Sequence, residues 1–376
     1  MLNNYQLVSI ILASVLVVYL FNYKQQKPKA IKQKLDSRTG LVTPIKDFEW
    51  NRAEPLKSLP FKKGPYKLTM GIKRLDLQDW LLIEPGYLQR LTDKKNIINN
   101  SHPDYPQGKD LRGSTFFVTQ EAHSAICELY DIVMDYMSTK YPTCFEIDDK
   151  RLNVKNLITQ KTYPLHSKAL NDPVVLQEYL AETIEEDFII LLKDPKRENE
   201  ENGKEYFFKA GVFAFAAGFN PKERFNKPLT YIHHPVPQYE TKLKTSMNRY
   251  FSRMVPGQFI TRSNWSIQTH NKLYTDDSNK GHNLPKGYTQ HAIDYNSVDF
   301  SQVHYRSERQ VLTKLPKTQA IVFTIRTYLL PLAEIKKESR EVRERLIGAI
   351  EGFTPDISAY KRADEWGSAV CQYLRE

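Results

Sequence analysis

YRSERQVLTKLPKTQAIVFTIRTYLLPL, residues 305 to 332, decides the fold class. Its two halves read as a pair of strands. The second, Ala320 to Thr327, is dominated by β-branched and aromatic residues, which fit a pleated surface. Strand geometry puts Arg306, Glu308 and Gln310 on one face and Ser307 and Arg309 on the other. Working outward, FITRSNWSIQ (259–268) is a third strand. YFFKAGVFAFAAGF (206–219) gives one or two buried strands, and the alternation of YKLTMGI (66–72) gives another. Apolar residues at helical spacing, Ala122, Ile126, Leu129, Val133 and Met137, predict a helix over Gln120–Tyr141 that ends before Pro142. A second long helix is expected from Pro173 to Leu192 with Asp172 as its N-cap, and a third from Pro237 to Met254. The segment 75–98 is read as two helices separated at Pro85, and the last 40 or so residues as amphipathic helix broken at Pro355. Residues 99–113, 193–205 and 276–290 are polar loops. Mixed helices and strands, with the later strands close together, predict an α+β body on an antiparallel sheet.

The chain has 376 residues, 40% hydrophobic and 26% charged, with a net charge of +10. That balance belongs to a globular body. Part of the positive charge is local: Lys24, Lys27, Lys29, Lys32 and Lys34 follow one another closely, and the rest is spread along the chain. No RNA-binding signature or zinc-finger spacing accompanies it, so nucleic acid is not an expected partner. Cys127, Cys144 and Cys371 are odd in number and far apart, which argues against a disulfide framework and for buried or half-buried thiols.

LVSIILASVLVVYLF, residues 7–21, contains no charge and is bordered by Tyr5 and Tyr23. It is expected to be one transmembrane helix near the lower limit of spanning length. No Lys or Arg precedes it and no small-residue cleavage site follows, which distinguishes it from a cleaved signal peptide. The lysines after it place the body in the cytosol by the positive-inside rule. The expected organisation is an anchor over 1–23, a basic, Pro-punctuated stem over 24–60 and a body over 61–376. Endoplasmic reticulum or another endomembrane is the expected location, with a mitochondrial membrane as the alternative. The sequons at Asn99 and Asn264 are read as unused.

Two stretches could carry chemistry. In YIHHPVPQY (231–239), a pair of histidines precedes two prolines and a helix. Proline fixes the backbone and removes amide donors, so the turn is rigid enough to aim an imidazole into a pocket, as a heme iron requires. A packed or surface His pair is the plainer alternative. In YRSERQ and FTIRTY, Arg306 or Arg309 and Arg326 could meet across neighbouring strands and bind carboxylates; an ion-pair network with Glu308 is the plainer alternative there. No GxGxxG, P-loop, nucleophile elbow, HExxH or Cys/His metal set is present.

The chain resembles fungal relatives of the heme-dependent oxidative N-demethylase alpha subunit. The resemblance is carried, in order, by residues 66–87, 182–192, 208–219, 232–251, 263–267 and 305–332. It implies a PAS-like curved antiparallel sheet with surrounding helices and heme b in its pocket. It implies an iron that activates dioxygen with electrons from a separate, NADPH-dependent reductase, and a small amine as substrate. The His of the I-H-x-P-V-P segment corresponds to His233, the implied iron ligand. Arg306, Arg309 and Arg326 become candidates for propionate or distal-pocket contacts, with Arg306, Glu308 and Arg309 as the implied catalytic set and Arg326 as the cofactor contact. The sequence departs from the relatives at Ala216, Ala217 and Phe219, so the pocket lining differs. A heme-based gas or redox sensor, or a non-catalytic membrane-tethered binding protein, are the competing readings.

Overall fold

The computed structural model describes residues 42–275 and 279–376. Ten strands are present among them: β1 (Lys73–Leu75), β2 (Phe116–Val118), β3 (Phe145–Ile147), β4 (Asn153–Asn156), β5 (Lys161–Pro164), β6 (Asp187–Lys193), β7 (Tyr206–Val212), β8 (Phe259–Gln268), β9 (His304–Lys314) and β10 (Ile321–Pro331). Seven form one antiparallel sheet in the order β1-β8-β9-β10-β6-β7-β2, and β3, β4 and β5 form a small second sheet. The expected pair β9 and β10 lies at the centre, in unbroken register from Ile321 opposite Lys314 to Pro331 opposite His304.

Alternation gives the large sheet two unlike faces. One carries Arg262 and Asn264 of β8, Glu308, Gln310 and Leu312 of β9, and Phe323 and Ile325 of β10, all lining a cavity. The other carries Arg309, Thr324, Arg326 and Tyr328, and the segment 77–86 lies across it. There the Trp80 Nε1 donates to Thr324 Oγ1 at 3.3 Å. Arg309 donates to the carbonyls of Trp80, at 3.1 Å, and Asp79. Arg326 is the centre of this face. It pairs with Glu84 at 2.8 Å, Glu185 at 2.7 Å and Glu186 at 3.2 Å, and donates to the Leu82 carbonyl at 3.0 Å. Beside it the fully buried Lys94 donates to the carbonyls of Ile184, Glu185 and Glu186 and stands 3.7 Å from Asp187.

The helix His123–Lys140 forms as its apolar spacing predicts, and supports the segment 77–86 from behind through hydrogen bonds of Tyr136 and Lys140 to the Gln78 carbonyl. Residues 42–60 run along the body: Val42 is buried, Phe48 packs on Tyr141 with ring centroids 4.7 Å apart, and the Leu56 amide donates to Glu84 at 2.9 Å. A second core, around Trp366, Val370 and Leu374 of the last helix, packs on Ile267 and Tyr305. The three cysteines are free; burial pushes Cys371 up to about 11, so its thiol stays protonated and inert.

Several expectations are corrected. No helix among the described residues is long and apolar enough to cross a membrane, and the segment 1–23 read as an anchor lies outside them. The expected fold class therefore stands corrected to an α+β architecture around a large antiparallel sheet. Asp172 does cap its helix, accepting from Val174 and Val175, but that helix stops at Ala181. DFIILLK is instead β6, an apolar strand enclosed on both faces, whose continuous run lacks the alternation of a half-exposed strand. YKLTMGI alternates without pairing: only Lys73–Leu75 joins the sheet, and residues before it form a strap. Before Pro85 the helix reduces to one 3-10 turn, Leu77–Asp79.

The face around Arg326 yields a stability prediction. Arg326→Ala strands three buried carboxylates and should cost roughly 3–5 kcal/mol. Burial raises the pKa of Glu185 and Arg326 opposes that shift, so losing the cation raises it further and the folded variant takes up a proton preferentially as pH falls. The gap to wild type in urea unfolding should therefore narrow from pH 7 to pH 5; a gap that is constant or widens contradicts the assignment.

Candidate functional site

The cavity is graded by the register of the sheet. Asn264 opposes Glu308, Arg262 opposes Gln310 and Ile260 opposes Leu312, while on the other flank of β9 Ile325 opposes Gln310 and Phe323 opposes Leu312. One end is thus polar and the other apolar. The apolar end continues through Ile189, Leu191, Phe208 and Phe213 of the sheet region. Its roof is the π-turn Tyr239–Leu243 and the helix Lys244–Arg253. Tyr239, Leu243, Met247 and Phe251, four residues apart, point inward as their spacing predicts and are all buried.

His233 enters from the short helix Leu229–His233, which starts after Pro228 and cannot continue through Pro235. Its Nδ1 lies 2.9 Å from the Leu229 carbonyl oxygen. A carbonyl only accepts, so Nδ1 carries the proton and Nε2 is the basic nitrogen. The ring stacks on Tyr239 at 4.9 Å with a 14° interplanar angle, and Tyr239 is itself buried. Half-buried, His233 owes its remaining exposure to the cavity it lines. Burial pushes its pKa down to about 4, opposed by the Leu229 hydrogen bond and assisted by Arg262. The imidazole is neutral near pH 7, with one nitrogen fixed by the backbone and the other available to a metal, the arrangement that orients a metal-ligating histidine. His234 points out to solvent, 3.9 Å from Glu240.

At the polar end, among the described residues, Glu308 is the one carboxylate of the lining, against the cations Arg262, Lys280 and Lys361. Gln310 Nε2 donates to Glu308 at 2.9 Å and Arg306 Nε lies 3.5 Å from it. Burial lowers the pKa of Arg262, takes Lys280 down to about 8 and drives Lys361 well below the ordinary lysine value; Glu308 opposes the shift in all three.

Of the residues expected from sequence, the structure brings His233 and Glu308 to one cavity. It does not bring Arg309 and Arg326 there. They sit opposite each other in the register of β9 and β10, on the far face, with their donors committed to carbonyls and carboxylates. Arg306 shares the face of Glu308 but is buried beyond the lining, donating to the carbonyls of Leu273, at 3.0 Å, and Phe215. It braces the end of the cavity instead of facing a ligand. Arg262, Lys280 and Lys361 were not singled out from sequence. For Arg262 a signal existed, since FITRSNWSIQ as a strand puts Ile260, Arg262 and Asn264 on one face; Lys280 in a polar loop and Lys361 at a helix end carried none. Asn264, the asparagine of the second sequon, lies in β8 among the lining residues.

A family model described as "Haem-dependent oxidative N-demethylase, alpha subunit-like" matches residues 71–371. The match takes in most of the chain, and the chain belongs to this family. The family is heme-dependent by its description, and this chain's residues fit that group on two counts. His233 offers an oriented, neutral nitrogen to iron, and the polar end offers cations in surplus to propionates. Among the described residues no cluster of three or more His, Cys, Asp or Glu could hold a metal ion by itself, whereas a porphyrin asks only for an axial ligand.

The buried imidazole gives the ligand-free chain a pH dependence. Its folded pKa near 4 lies below the ordinary 6.5, so between these values the unfolded chain binds the extra proton. Stability should fall as pH drops through that window, by on the order of 2–3 kcal/mol from this residue. Burial lowers His270 and His282 as well, so the measurement is the difference between wild type and His233→Gln in urea unfolding at pH 7 and pH 4.5. Equal slopes in the two proteins would remove His233 as the source.

Proposed function

We propose that this member of the heme-dependent oxidative N-demethylase alpha subunit-like family binds heme b in the graded cavity through His233 and oxidises a small molecule there, with demethylation of an amine as the leading reaction. Family membership supports the reaction class. The observation that carries the site is the His233 geometry: Nδ1 held by Leu229, the ring stacked on Tyr239 and Nε2 left basic. Bound heme supplies an iron centre that uses dioxygen and electrons, and the electrons come from a separate reductase, since the sequence has no nicotinamide or flavin motif.

The chain's own residues then have distinct tasks. His233 Nε2 would hold the iron, and Tyr239, stacked on the ring, holds the imidazole in its orientation. The apolar end excludes water from the reacting region, which strengthens every electrostatic contact inside. Glu308, held by Gln310, is the group able to receive an N–H of the substrate or to hold a proton at a carboxylate oxygen. Arg306 keeps Glu308 in place, and Arg309 and Arg326 keep the sheet in place.

The test is spectroscopic first. The full chain should take up about one heme. His233→Ala should weaken binding tenfold or more, about 1.4 kcal/mol per decade, and change the Soret band, while His234→Ala should leave both unchanged. Arg326→Ala, once its lower stability is allowed for, should not change the spectrum. With a reductant supplied, N-methylated amines should raise oxygen consumption and release formaldehyde. An unaltered spectrum in His233→Ala would overturn the ligand assignment. Heme binding with no compound-dependent turnover, together with a gas-dependent change in association with another protein, would favour the sensor reading.

A further inference from the structure

We propose that Arg262, Lys280 and Lys361 form a clamp for two carboxylates at the polar end of the cavity, and that these are the two propionates of the porphyrin. The inference rests on the reading that the cavity takes heme, and it replaces the arginines of β9 and β10 as the anion-binding group.

Lys280 and Lys361 are 7% and 5% exposed. Lys280 has no hydrogen-bond acceptor among the described residues; its ammonium stands 5.2 Å from the Tyr360 ring centroid. Its backbone is pressed close to Gly218, where an added Cβ would fall 2.9 Å from Lys280 Cγ and 3.0 Å from its nitrogen, at a φ of +67. The lysine is therefore seated by packing, and among the described residues no anion pairs with it. Arg262 has its Nε buried with no partner, and the Oε1 of Gln310 opposite is unpartnered too. Lys361 spends one proton on the Trp265 carbonyl at 2.7 Å and keeps two. Against these three cations the described lining residues offer one carboxylate, Glu308, which Arg306 and Gln310 already share. Among the described residues, this end of the cavity therefore holds more buried cationic groups than carboxylates, an arrangement that is costly unless something supplies further anions. A ligand with two carboxylates, each ionised near pH 7, cancels the surplus. The gradation of the sheet then orients such a ligand: carboxylates toward Arg262, Lys280 and Lys361, apolar ring toward Ile260, Leu312 and Phe323.

Comparison of acids with esters tests this. Wild type should bind metal-free protoporphyrin IX and hemin at least tenfold more tightly than their dimethyl esters, about 1.4 kcal/mol. Lys280→Met should close most of that gap, while His233→Ala should weaken hemin but keep the preference for free acid. Without ligand, Lys280→Met should raise the Tm by a few degrees, because it removes an uncompensated buried charge; a lysine with a structural role would lower it. If that variant does not fold, Lys361→Met and Arg262→Gln carry the same readouts. Acid preference with protoporphyrin but no hemin-specific contribution from His233 would uphold the clamp and sink the iron ligand. Esters bound as well as acids, or inorganic phosphate raising the Tm as much as hemin does, would overturn the clamp as a propionate site.

Discussion

Three carboxylates and one guanidinium hold this fold in its working shape. Arg326 ties β10 to Glu84 on the segment that crosses the sheet, and to Glu185 and Glu186 just before β6. Its cross-strand neighbour Arg309 ties β9 to the same segment. Lys94 adds the carbonyls of residues 184–186. Ions this deep are stable only as a completed set, because any one removed leaves the others unpaired. The set closes one face of the sheet to everything else. Chemistry on β8, β9 and β10 is thereby left to the side chains of opposite parity, and these line the cavity.

The two faces solve opposite electrostatic problems with the same kinds of residue. Around Arg326 the guanidinium meets three carboxylates, while Arg309 and Lys94 are held by backbone carbonyls. Around Glu308 the cations outnumber the anion, and the histidine nearby is kept neutral by burial. The first arrangement is self-contained and structural. The second is incomplete in the sense that matters for binding: its polar groups are oriented before any ligand arrives, so little reorganisation opposes association. Local sequence supports this economy. Pro228 and Pro235 bracket the one-turn helix that presents His233, and the π-turn that follows brings Tyr239 beneath its ring.

What could be read from sequence follows from which interactions are local. β9 and β10 were legible because β-branched residues and alternation sit in adjacent runs, and the parity of Arg306, Glu308 and Gln310 was legible with them. Which parity faces the cavity was not, because that depends on what covers each face, and Glu84, Glu185 and Glu186 come from elsewhere in the chain. Arg326 looked like a ligand-binding arginine for that reason. β6 was hidden because an enclosed strand and a buried helix share a continuous apolar run, and a well-capped helix lay just before it. The inward stripe of Tyr239, Leu243, Met247 and Phe251 was legible, being a property of local spacing that runs through the π-turn into the helix after it. Lys280 and Lys361 were not, since nothing local distinguishes a cavity lysine from a solvated one. The choice of His233 over its neighbour came from family resemblance; in space, it is the difference between a ring stacked on Tyr239 and one facing solvent.

The strap that alternates without pairing has a consequence of a different kind. Tyr66, Leu68, Met70 and Ile72 line the cavity, and Gly64 and Gly71, with φ of 112 and 62, let the chain turn at either end. Among the described residues its backbone is fastened at Tyr66, to Gly352, and again where Lys73 meets Thr261; between these points it makes no backbone hydrogen bond. A wall of this kind belongs to no ladder, so its side chains can be exchanged, or its length altered, without loss of register anywhere in the sheet. The sheet and the shape of the cavity it helps to line are thereby inherited separately. Divergence among proteins built on this plan has an inexpensive route through a few residues ahead of β1, while the strands behind them stay as they are.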